Sequence, residues 1–342
     1  MKKFLCSAAA ALFLFSGCTE RKNTENIQDS KDVFAMDTYM HLRAYGSNSE
    51  TALEFAIDEI LHLEDLLSVT NENSDISAIN NSGGNVVSVD NDTAKIIEKA
   101  IEVGNQTNGA LDITVYPVLK EWGFTTDNYK IPDSEILDIL LENVDYHKIK
   151  LNGNRITVPE SFQLDLGALA KGYTSDKVMA ILRNNGIDSA VVSLGGNVQT
   201  LGRKPDGSLW KVAVINPFYP DSTMGILQVA DKAVITSGNY ERYFISENGK
   251  RYHHIIDPSN GYPANNGLVS VTIIGGGGIM CDALSTALFV LGYEKAVNYW
   301  QKNEDFDMIL VTEHNEIFIT EGIAYTFENV SEMTMEVITH EH

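Results

Sequence analysis

The residues with the clearest chemical potential lie on one predicted helical turn in the last third of the chain. Asp282 and Thr286 are four residues apart and follow a run of four glycines, Gly275 to Gly278. Apolar residues repeat around them at helical spacing, so a helix should place the two oxygen-bearing side chains one above the other. A carboxylate and a hydroxyl in this arrangement suit Mg²⁺, which prefers oxygen ligands. The same pattern is also typical of an aspartate that merely caps a helix.

A second polar group surrounds a glycine at a predicted turn from strand to helix. Asp165 precedes Gly167, and Lys171 follows it. Backbone amides at the start of a helix, with a lysine nearby, favour a bound phosphate or carboxylate. A capping aspartate beside a solvated lysine is the alternative. The segment from Ser193 to Asn197 has two glycines and is more typical of a tight turn than of a phosphate-binding loop.

Two adjacent histidines supply a candidate general base. His253 and His254 stand shortly before an Asp-Pro turn, and histidine is the usual proton acceptor near neutral pH. Adjacent histidines also occur on ordinary surface strands, so the sequence leaves both interpretations open. Upstream, Glu241 and Arg242 are neighbours in a predicted strand, which would direct their side chains to opposite faces.

The periodicity of apolar residues predicts the elements that hold these groups. Helices are expected at 51–67, 93–106, 133–144, 167–185 and 282–303. Strands are expected at 34–42, 190–194, 210–215, 225–229, 233–236, 243–246 and 268–274, with hairpins within 146–158 and 308–320. Strands and helices do not alternate strictly, and hairpins are frequent. We therefore predict an α+β fold of two interlocked subdomains with largely antiparallel sheets flanked by helices.

The first residues carry the pattern of an export signal. Lys2 and Lys3 precede an apolar run over residues 4–15 that is too short to span a bilayer, and small residues stand before Cys18. The ending Phe-Ser-Gly-Cys resembles the bacterial lipoprotein box, which implies cleavage before Cys18 and a lipid on that cysteine. We predict a signal peptide at 1–17, a flexible tether at 18–32 and a folded domain at 33–330. An uncleaved anchor is the alternative.

Composition narrows the classes of partner and of chemistry. The formal net charge of -22 argues against nucleic acid and against anionic lipid headgroups, and it favours a bound divalent cation. If Cys6 is removed and Cys18 carries a lipid, Cys281 is left alone and no intrachain disulfide is expected. The motifs of P-loop nucleotide hydrolases, of serine esterases and of HExxH zinc proteases are missing from the sequence.

Five motifs, in this order, make the chain similar to the ApbE family, the FAD:protein FMN transferases once described as thiamine-biosynthesis lipoproteins. The similarity extends from about Met36 to Thr320. The motifs are Asp165-Leu-Gly-Ala-Leu-Ala-Lys-Gly-Tyr173, Leu194-Gly-Gly-Asn197, Thr236-Ser-Gly-Asn-Tyr-Glu-Arg-Tyr-Phe244, His254-Ile-Ile-Asp-Pro258 with Gly261-Tyr-Pro263, and Asp282-Ala-Leu-Ser-Thr-Ala-Leu288.

The resemblance implies a role for individual residues. It implies that Mg²⁺ is bound by Asp282 and Thr286 with the carbonyl groups of Ser285 and Ala168. It makes His254, rather than His253, the candidate base, so that His254 and Asp282 are the expected catalytic residues. The residues expected to contact FAD are Met36, Ala110, Leu111, Asp112, Asp165, Lys171 and Ile256.

The activity that the resemblance implies is transfer of FMN from FAD to a Thr or Ser hydroxyl of an exported acceptor protein, with release of AMP. The protein is expected to be anchored by its N-terminal lipid to a membrane of the bacterial cell envelope, facing the periplasm or the exterior. One segment departs from the family pattern, because Ser68-Val69-Thr70 stands where many relatives have a tyrosine. An aromatic contact for FAD is missing there. Two alternatives therefore stay open: a Mg²⁺-dependent FAD pyrophosphatase that gives FMN and AMP, and a non-catalytic FAD-binding lipoprotein.

Overall fold

A nine-stranded sheet organises the molecule, and the computed structural model describes it within residues 28–126 and 128–340. The strand order is β1-β2-β6-β7-β10-β13-β14-β15-β17, and every neighbouring pair is antiparallel except β15 with β17. The strands are β1 (Gln28–Ala35), β2 (Thr38–Tyr45), β6 (Ser189–Leu194), β7 (Asn197–Leu201), β10 (Ala233–Gly238), β13 (Leu268–Gly275), β14 (Phe306–Thr312), β15 (Glu316–Thr320) and β17 (Thr334–Ile338).

In the same described ranges, three smaller sheets accompany it, in the orders β16-β9-β8, β3-β5-β4 and β11-β12. Their strands are β3 (Val87–Ser88), β4 (Lys150–Asn152), β5 (Arg155–Thr157), β8 (Trp210–Ile215), β9 (Thr223–Val229), β11 (Tyr243–Ile245), β12 (Arg251–His253) and β16 (Phe327–Asn329). The hairpin β11–β12 lies next to a cavity, which is lined by Arg242 immediately before β11 and by His254 immediately after β12.

The described residues form eight α-helices, of which α6 and α7 contribute most to the site. They are α1 (Ser49–Leu67), α2 (Asp75–Asn80), α3 (Asn91–Gln106), α4 (Tyr116–Trp122), α5 (Ser134–Leu141), α6 (Ala170–Asn184), α7 (Gly278–Leu291) and α8 (Tyr293–Trp300). Helix α3 begins where Asp90 accepts a hydrogen bond from the Asp92 N–H, as capping aspartates do. None of the helices in the described ranges is both long and apolar enough to cross a membrane.

The alternation of side chains along the central strands produces a layered core. Ile235, Val271 and Ile273 lie in one apolar cluster with residues of α3, α6 and α7, whereas Val234 and Ile274 lie in another with β8 and β9. Successive residues of a strand point to opposite faces, so the large sheet is covered by helices on one side and by the β16-β9-β8 sheet on the other. Strand β13 is buried on both faces along its whole length.

The α+β fold with mainly antiparallel sheets is confirmed, but two elements differ from the sequence-based prediction. The strand expected at 34–42 is a hairpin, because Met36 and Asp37 both have left-handed backbone angles, φ 50° and 57°, and turn the chain from β1 into β2. The helix expected at 282–303 is two helices, since Gly292 has a φ of 79° and ends α7 immediately before α8.

Two expected boundaries are also wrong. Residues 28–32 were expected in the tether, but they belong to β1 and pair with β2. The folded part extends beyond residue 330, because β17 pairs in parallel with β15 at the edge of the large sheet. The predicted signal peptide at 1–17, the lipid site at Cys18 and the rest of the tether up to residue 27 lie outside the described residues.

Candidate functional site

A cavity of about 220 Å³ collects residues from every motif that the sequence singled out except the Gly195-Gly196 turn. Helices α6 and α7 contribute Lys171, Asp282 and Thr286, and the hairpin β11–β12 contributes Arg242 and His254. Of the residues expected in the site, the cavity brings together Ala110, Leu111, Asp112, Asp165, Ala168, Lys171, His254, Ile256, Asp282 and Thr286.

Close contact between helices α6 and α7 fixes the position of Asp282. The Gly172 N–H donates to Asp282 Oδ2 over 2.8 Å, although the two residues are 110 positions apart in sequence. A side chain at Gly172 would not fit, because an added Cβ would lie 2.4 Å from the Gly278 carbonyl oxygen and 2.6 Å from Asp282 Cβ. Glycine at position 172 therefore lets the backbone of α6 bind the carboxylate directly.

The N-terminus of α7 is capped by a side chain from α6 rather than by its own. Asp176 Oδ1 accepts the Gly278 N–H over 2.7 Å, and Asp176 Oδ2 accepts the Ile279 N–H over 2.9 Å. Gln199 Nε2 donates to the same carboxylate over 3.0 Å. These bonds satisfy amides that would otherwise lack a partner at the helix start, and they fix the register of α7 against α6.

The atoms around Asp282 suit a hard cation. Ser237 Oγ lies 3.2 Å from Thr286 Oγ1 and 2.7 Å from Ser285 Oγ, so hydroxyl oxygens gather beside the carboxylate. Burial raises the pKa of Asp282, and the nearby Lys171 ammonium partly opposes this shift. Within residues 28–126 and 128–340, no group of three or more His, Cys, Asp or Glu side chains is placed to hold a metal. One carboxylate with neighbouring hydroxyl oxygens fits Mg²⁺ better than zinc or iron.

The turn before α6 presents a carboxylate and an amine to the same cavity. Asp165 Oδ1 accepts the Gly167 N–H over 2.8 Å, and the Asp165 N–H donates to the Ile113 carbonyl over 2.9 Å. Burial raises the pKa of Asp165, and the Arg242 cation acts in the opposite direction. Lys171, in the first turn of α6, places a positive charge near both Asp282 and Glu241.

Hydrogen bonding separates the roles of the two adjacent histidines. His253 Nε2 donates to the Ala264 carbonyl over 2.9 Å and its Nδ1 accepts the Ile255 N–H over 3.3 Å, so both nitrogens of this buried ring are used. His254 instead lines the cavity, and its Nδ1 lies 3.2 Å from the Arg242 carbonyl. Because a carbonyl oxygen only accepts, Nδ1 carries the hydrogen and Nε2 keeps its lone pair.

The protonation state of His254 follows from its position. Desolvation in the cavity, together with the nearby Arg242 cation, lowers the pKa of His254 to about 3. The imidazole is therefore neutral near pH 7, which is the form that accepts a proton. A bound anion in the cavity would raise this pKa, since a nearby opposite charge favours the protonated ring.

Asp112 is held in its loop by hydrogen bonds from neighbouring residues. Its Oδ1 accepts from the Thr114 N–H and hydroxyl over 2.8 and 2.6 Å, and its Oδ2 accepts the Tyr146 N–H over 3.0 Å. Burial raises the pKa of this carboxyl. Asp112 thus shapes the loop, while Ala110 and Leu111 present its surface to the cavity.

Two residues expected in the site do not line the cavity. Met36 lies in the turn between β1 and β2, where its N–H donates to Glu64 Oε1 over 2.6 Å and its sulfur lies 3.8 Å from Thr174 Oγ1. The Ser285 hydroxyl is buried and donates to the Asp282 carbonyl over 2.8 Å. Thr70, the position that departs from the family pattern, is exposed and is also absent from the cavity lining.

Sequence reasoning missed a cluster of aromatic rings behind one wall of the cavity. Phe124 lines the cavity and packs against Trp122 and Phe244, and both of these rings pack against Tyr252. The centroid distances within this cluster are 5.2 to 6.4 Å. The Trp122 Nε1–H donates to the Gly261 carbonyl over 2.7 Å. The aromatic residues near 116–124 were a visible signal, but their partners on β11 and β12 are more than a hundred residues away.

Comparisons with known proteins agree with these motifs. A model of the ApbE family matches residues 36–310. An FAD:protein FMN transferase from Klebsiella pneumoniae (strain 342) is 32% identical over 302 residues, which cover 87% of this chain and 93% of that protein. Another from Treponema pallidum (strain Nichols) is 31% identical over 316 residues, covering 86% and 87% respectively.

Solved structures give the same result for the fold. The crystal structure of the ApbE protein from Thermotoga maritima MSB8 matches with a TM-score of 0.82 and 32% identity, covering 88% of this chain and 99% of that one. The flavin transferase ApbE from Vibrio cholerae matches with a TM-score of 0.77 and 27% identity, covering 84% and 94%.

Proposed function

The chain belongs to the ApbE family, and on that premise we propose that it is a Mg²⁺-dependent FAD:protein FMN transferase whose acceptor is a Thr or Ser hydroxyl. Transfer of FMN from FAD to a protein is the activity for which its relatives are named. The observation that carries the proposal is the cavity in which a neutral His254, a cationic Lys171 and the oxygen atoms of Asp282 and Thr286 face one space.

The reaction exchanges one phosphorus–oxygen bond for another. The acceptor oxygen forms a bond to the phosphorus on the FMN side of FAD, and the bond from that phosphorus to the bridging oxygen breaks. The bridging oxygen leaves with AMP, and the hydroxyl proton passes to His254 Nε2. Because Nδ1–H is held by the Arg242 carbonyl, the ring presents the correct nitrogen before the substrate binds.

The charged side chains of the cavity suit a pyrophosphate. Lys171 and Arg242 are cations that offset the charge of the phosphate oxygens, and Asp165 is held in the turn by the hydrogen bond that it accepts from the Gly167 N–H. When bound at Asp282 and Thr286, Mg²⁺ would neutralise developing negative charge on the phosphate oxygens. Asp282 itself is held for that role by the Gly172 N–H.

We also propose that the protein acts in the cell envelope, anchored through a lipid on Cys18. The basis is the sequence of residues 1–18 alone, and it agrees with an exported acceptor protein. Labelling with a radioactive or alkyne-bearing fatty acid, compared between the wild type and Cys18→Ser, tests this part. Label retained by Cys18→Ser would refute it.

The experiment that tests the transferase uses FAD, Mg²⁺ and candidate acceptor proteins of the envelope, with the products read by mass spectrometry. We expect an FMN-sized mass on an acceptor Thr or Ser, loss of the product with EDTA, and a drop of at least about a hundredfold in His254→Gln. His41→Gln is the matched control, because His41 lies on β2 outside the cavity.

The alternatives predict different products from the same assay. FMN and AMP released equally with and without acceptor would make the protein a pyrophosphatase. FAD recovered intact with every acceptor would make it a binding protein. Either result, obtained with folded protein that binds FAD, overturns the transferase.

A further inference from the structure

We propose that the acceptor protein presents its Thr or Ser on an extended segment that adds to the sheet edge of β11, pairing with Tyr243 and Ile245. This inference rests on the proposed function and specifies how the second substrate is recognised. The segment is expected to carry an acidic side chain that reaches Arg251. Strand addition of this kind uses backbone hydrogen bonds for affinity and side-chain contacts for specificity.

The hydrogen-bond pattern of the hairpin leaves one edge of β11 open. The His254 N–H donates to the Arg242 carbonyl over 3.1 Å, and the Ser246 N–H donates to the Lys250 carbonyl over 2.9 Å. In an antiparallel ladder, the alternate residues then turn their N–H and C=O groups away from the partner strand. These are Tyr243 and Ile245, and within the described ranges their backbone groups have no other strand to pair with.

The opposite edge of the hairpin is already occupied next to the site. Ile256 forms an isolated bridge with Pro263, and the Ala264 N–H donates to the Ile255 carbonyl over 2.9 Å. The chain after His254 is therefore covered on that side. At the end of the hairpin that carries Arg242 and His254, the backbone groups available to an incoming strand are therefore those of β11.

The open edge lies at the correct place for transfer. Strand β11 follows directly after Arg242, whose carbonyl holds the His254 imidazole through the 3.2 Å contact with Nδ1. A strand added to β11 would lie about 4.8 Å from it. The added strand lies two strand spacings, about 9.6 Å, from the His254 backbone, on the far side of Arg242. The acceptor hydroxyl is therefore expected on the residues that leave the added strand beyond Arg242 and turn into the cavity that Arg242 and His254 line.

The side chains of the edge match a partner rather than solvent. Tyr243 is 38% exposed and Ile245 is 61% exposed, which is unusual for two apolar residues on one short strand. The Arg251 guanidinium lies 4.3 Å from the Tyr243 ring centroid, and Lys250 is adjacent on the same hairpin. Lys250 lies over the Tyr252 ring at 4.9 Å on the other face of the hairpin, and Glu247 stands in the turn between the two strands. In a chain with a net charge of -22, Arg251 is therefore the cation on the Tyr243 face that would attract an acidic side chain of the segment.

The first test compares Ile245→Pro with Ile245→Ala, using peptides of about twelve residues that the wild type flavinylates from a library with one central Thr. Proline removes the outward N–H, whereas alanine keeps it, and neither change touches a bond to β12. We expect Ile245→Pro to raise the KM for the peptide by about tenfold relative to Ile245→Ala. The affinity for FAD should be equal in both, which excludes a disrupted hairpin because Arg242 and His254 line the cavity.

The second test keeps the wild type and measures amide hydrogen exchange by residue with and without the modified peptide. The amides of Tyr243 and Ile245 should become protected on binding, while the Phe244 amide, which faces β12, changes little. Equal KM values for the two variants together with unprotected amides at both positions would overturn the edge proposal.

The remaining outcomes are equally decisive. Protection of both amides before any peptide is added, whether from a second copy of the chain or from residues 1–27, would overturn the proposal, since the edge would not be free. If the wild type flavinylates whole acceptor proteins but no peptide, an extended segment is insufficient and the edge proposal alone fails. If it flavinylates neither, the proposed function fails as well.

Discussion

The substitution Gly172→Ala should separate the two helices that form the candidate metal site. The added Cβ would lie 2.4 Å from the Gly278 carbonyl oxygen, whereas an ordinary van der Waals contact is at least 3.4 Å. Helices α6 and α7 must therefore move apart by about 1 Å at this point. The same movement lengthens the 2.8 Å hydrogen bond from the Gly172 N–H to Asp282 beyond the range of a hydrogen bond.

The magnitude follows from these two effects. Overpacking costs about 1–3 kcal/mol, and loss of a hydrogen bond to a charged group costs about 1.5–3 kcal/mol. We expect the free energy of unfolding to fall by roughly 3 kcal/mol, with Tm lower by about 5–10 °C. Since Asp282 loses the amide that orients it, the Kd for Mg²⁺ should rise by about 10- to 100-fold.

The assay is calorimetric titration of Mg²⁺ into the FAD-bound protein, together with thermal unfolding of both forms. Gly276→Ala is the matched control, because an added Cβ at Gly276 meets no atom within 4 Å. We expect the control to behave like the wild type. If Gly172→Ala matches Gly276→Ala in both Tm and Mg²⁺ affinity, then the contact between α6 and α7 does not position Asp282 and the reasoning fails.

Three further predictions concern single side chains. Burial lowers the pKa of His253 from 6.5 to about 4, so the unfolded chain binds a proton at this residue before the folded protein does. The free energy of unfolding should therefore fall by about 3 kcal/mol as the pH drops from 6.5 to 4. In His253→Asn this free energy should depend less steeply on pH in the same window, and an unchanged slope would contradict the assignment. Thr286→Val should weaken Mg²⁺ binding in titration calorimetry by about tenfold, whereas Thr286→Ser should keep the wild-type affinity because serine retains the hydroxyl oxygen. Equal Mg²⁺ affinities for the two variants would mean that the hydroxyl is not a ligand. Asp176→Asn should lower the free energy of unfolding by about 1–3 kcal/mol in urea titrations, since it places an amide against the N–H groups of Gly278 and Ile279. Asp221→Asn, in an exposed loop, serves as the comparison. A urea midpoint Cm no lower than that of Asp221→Asn counts against the cap.

Local patterns predicted the helix that carries Asp282 and Thr286 and the class of fold. The apolar spacing around Asp282 and Thr286 predicted their helix, and the frequent hairpins predicted antiparallel sheets. The periodicity of apolar residues did not predict the turns at which the chain changes direction without a change in the hydrophobic pattern. The apolar spacing continues through Gly292, and the turn at Met36 and Asp37 uses two residues that seldom adopt left-handed angles.

Other features depend on contacts between distant residues. The strand from Gln28 is polar because β1 is an edge strand with one exposed face, so no run of apolar residues marks it. The cap that Asp176 provides for α7 joins residues 102 positions apart. The choice between His253 and His254 came from the family resemblance. Its physical basis is visible only in the folded structure, where the Ala264 carbonyl binds the His253 ring and the Arg242 carbonyl binds the His254 ring.

The order of strands in the large sheet has a consequence for how the protein folds. The first hairpin, β1–β2, pairs with β6, and the sheet continues through β7 and β10 to β13, so closing it joins segments from the first and last thirds of the chain. Asp282 reaches its amide partner on α6 only when α7 has been synthesised and packed. Such non-local pairing slows folding and leaves no partial version of the cavity in a shorter chain. Binding of FAD to a nascent or truncated chain should therefore begin only after residue 291 is available.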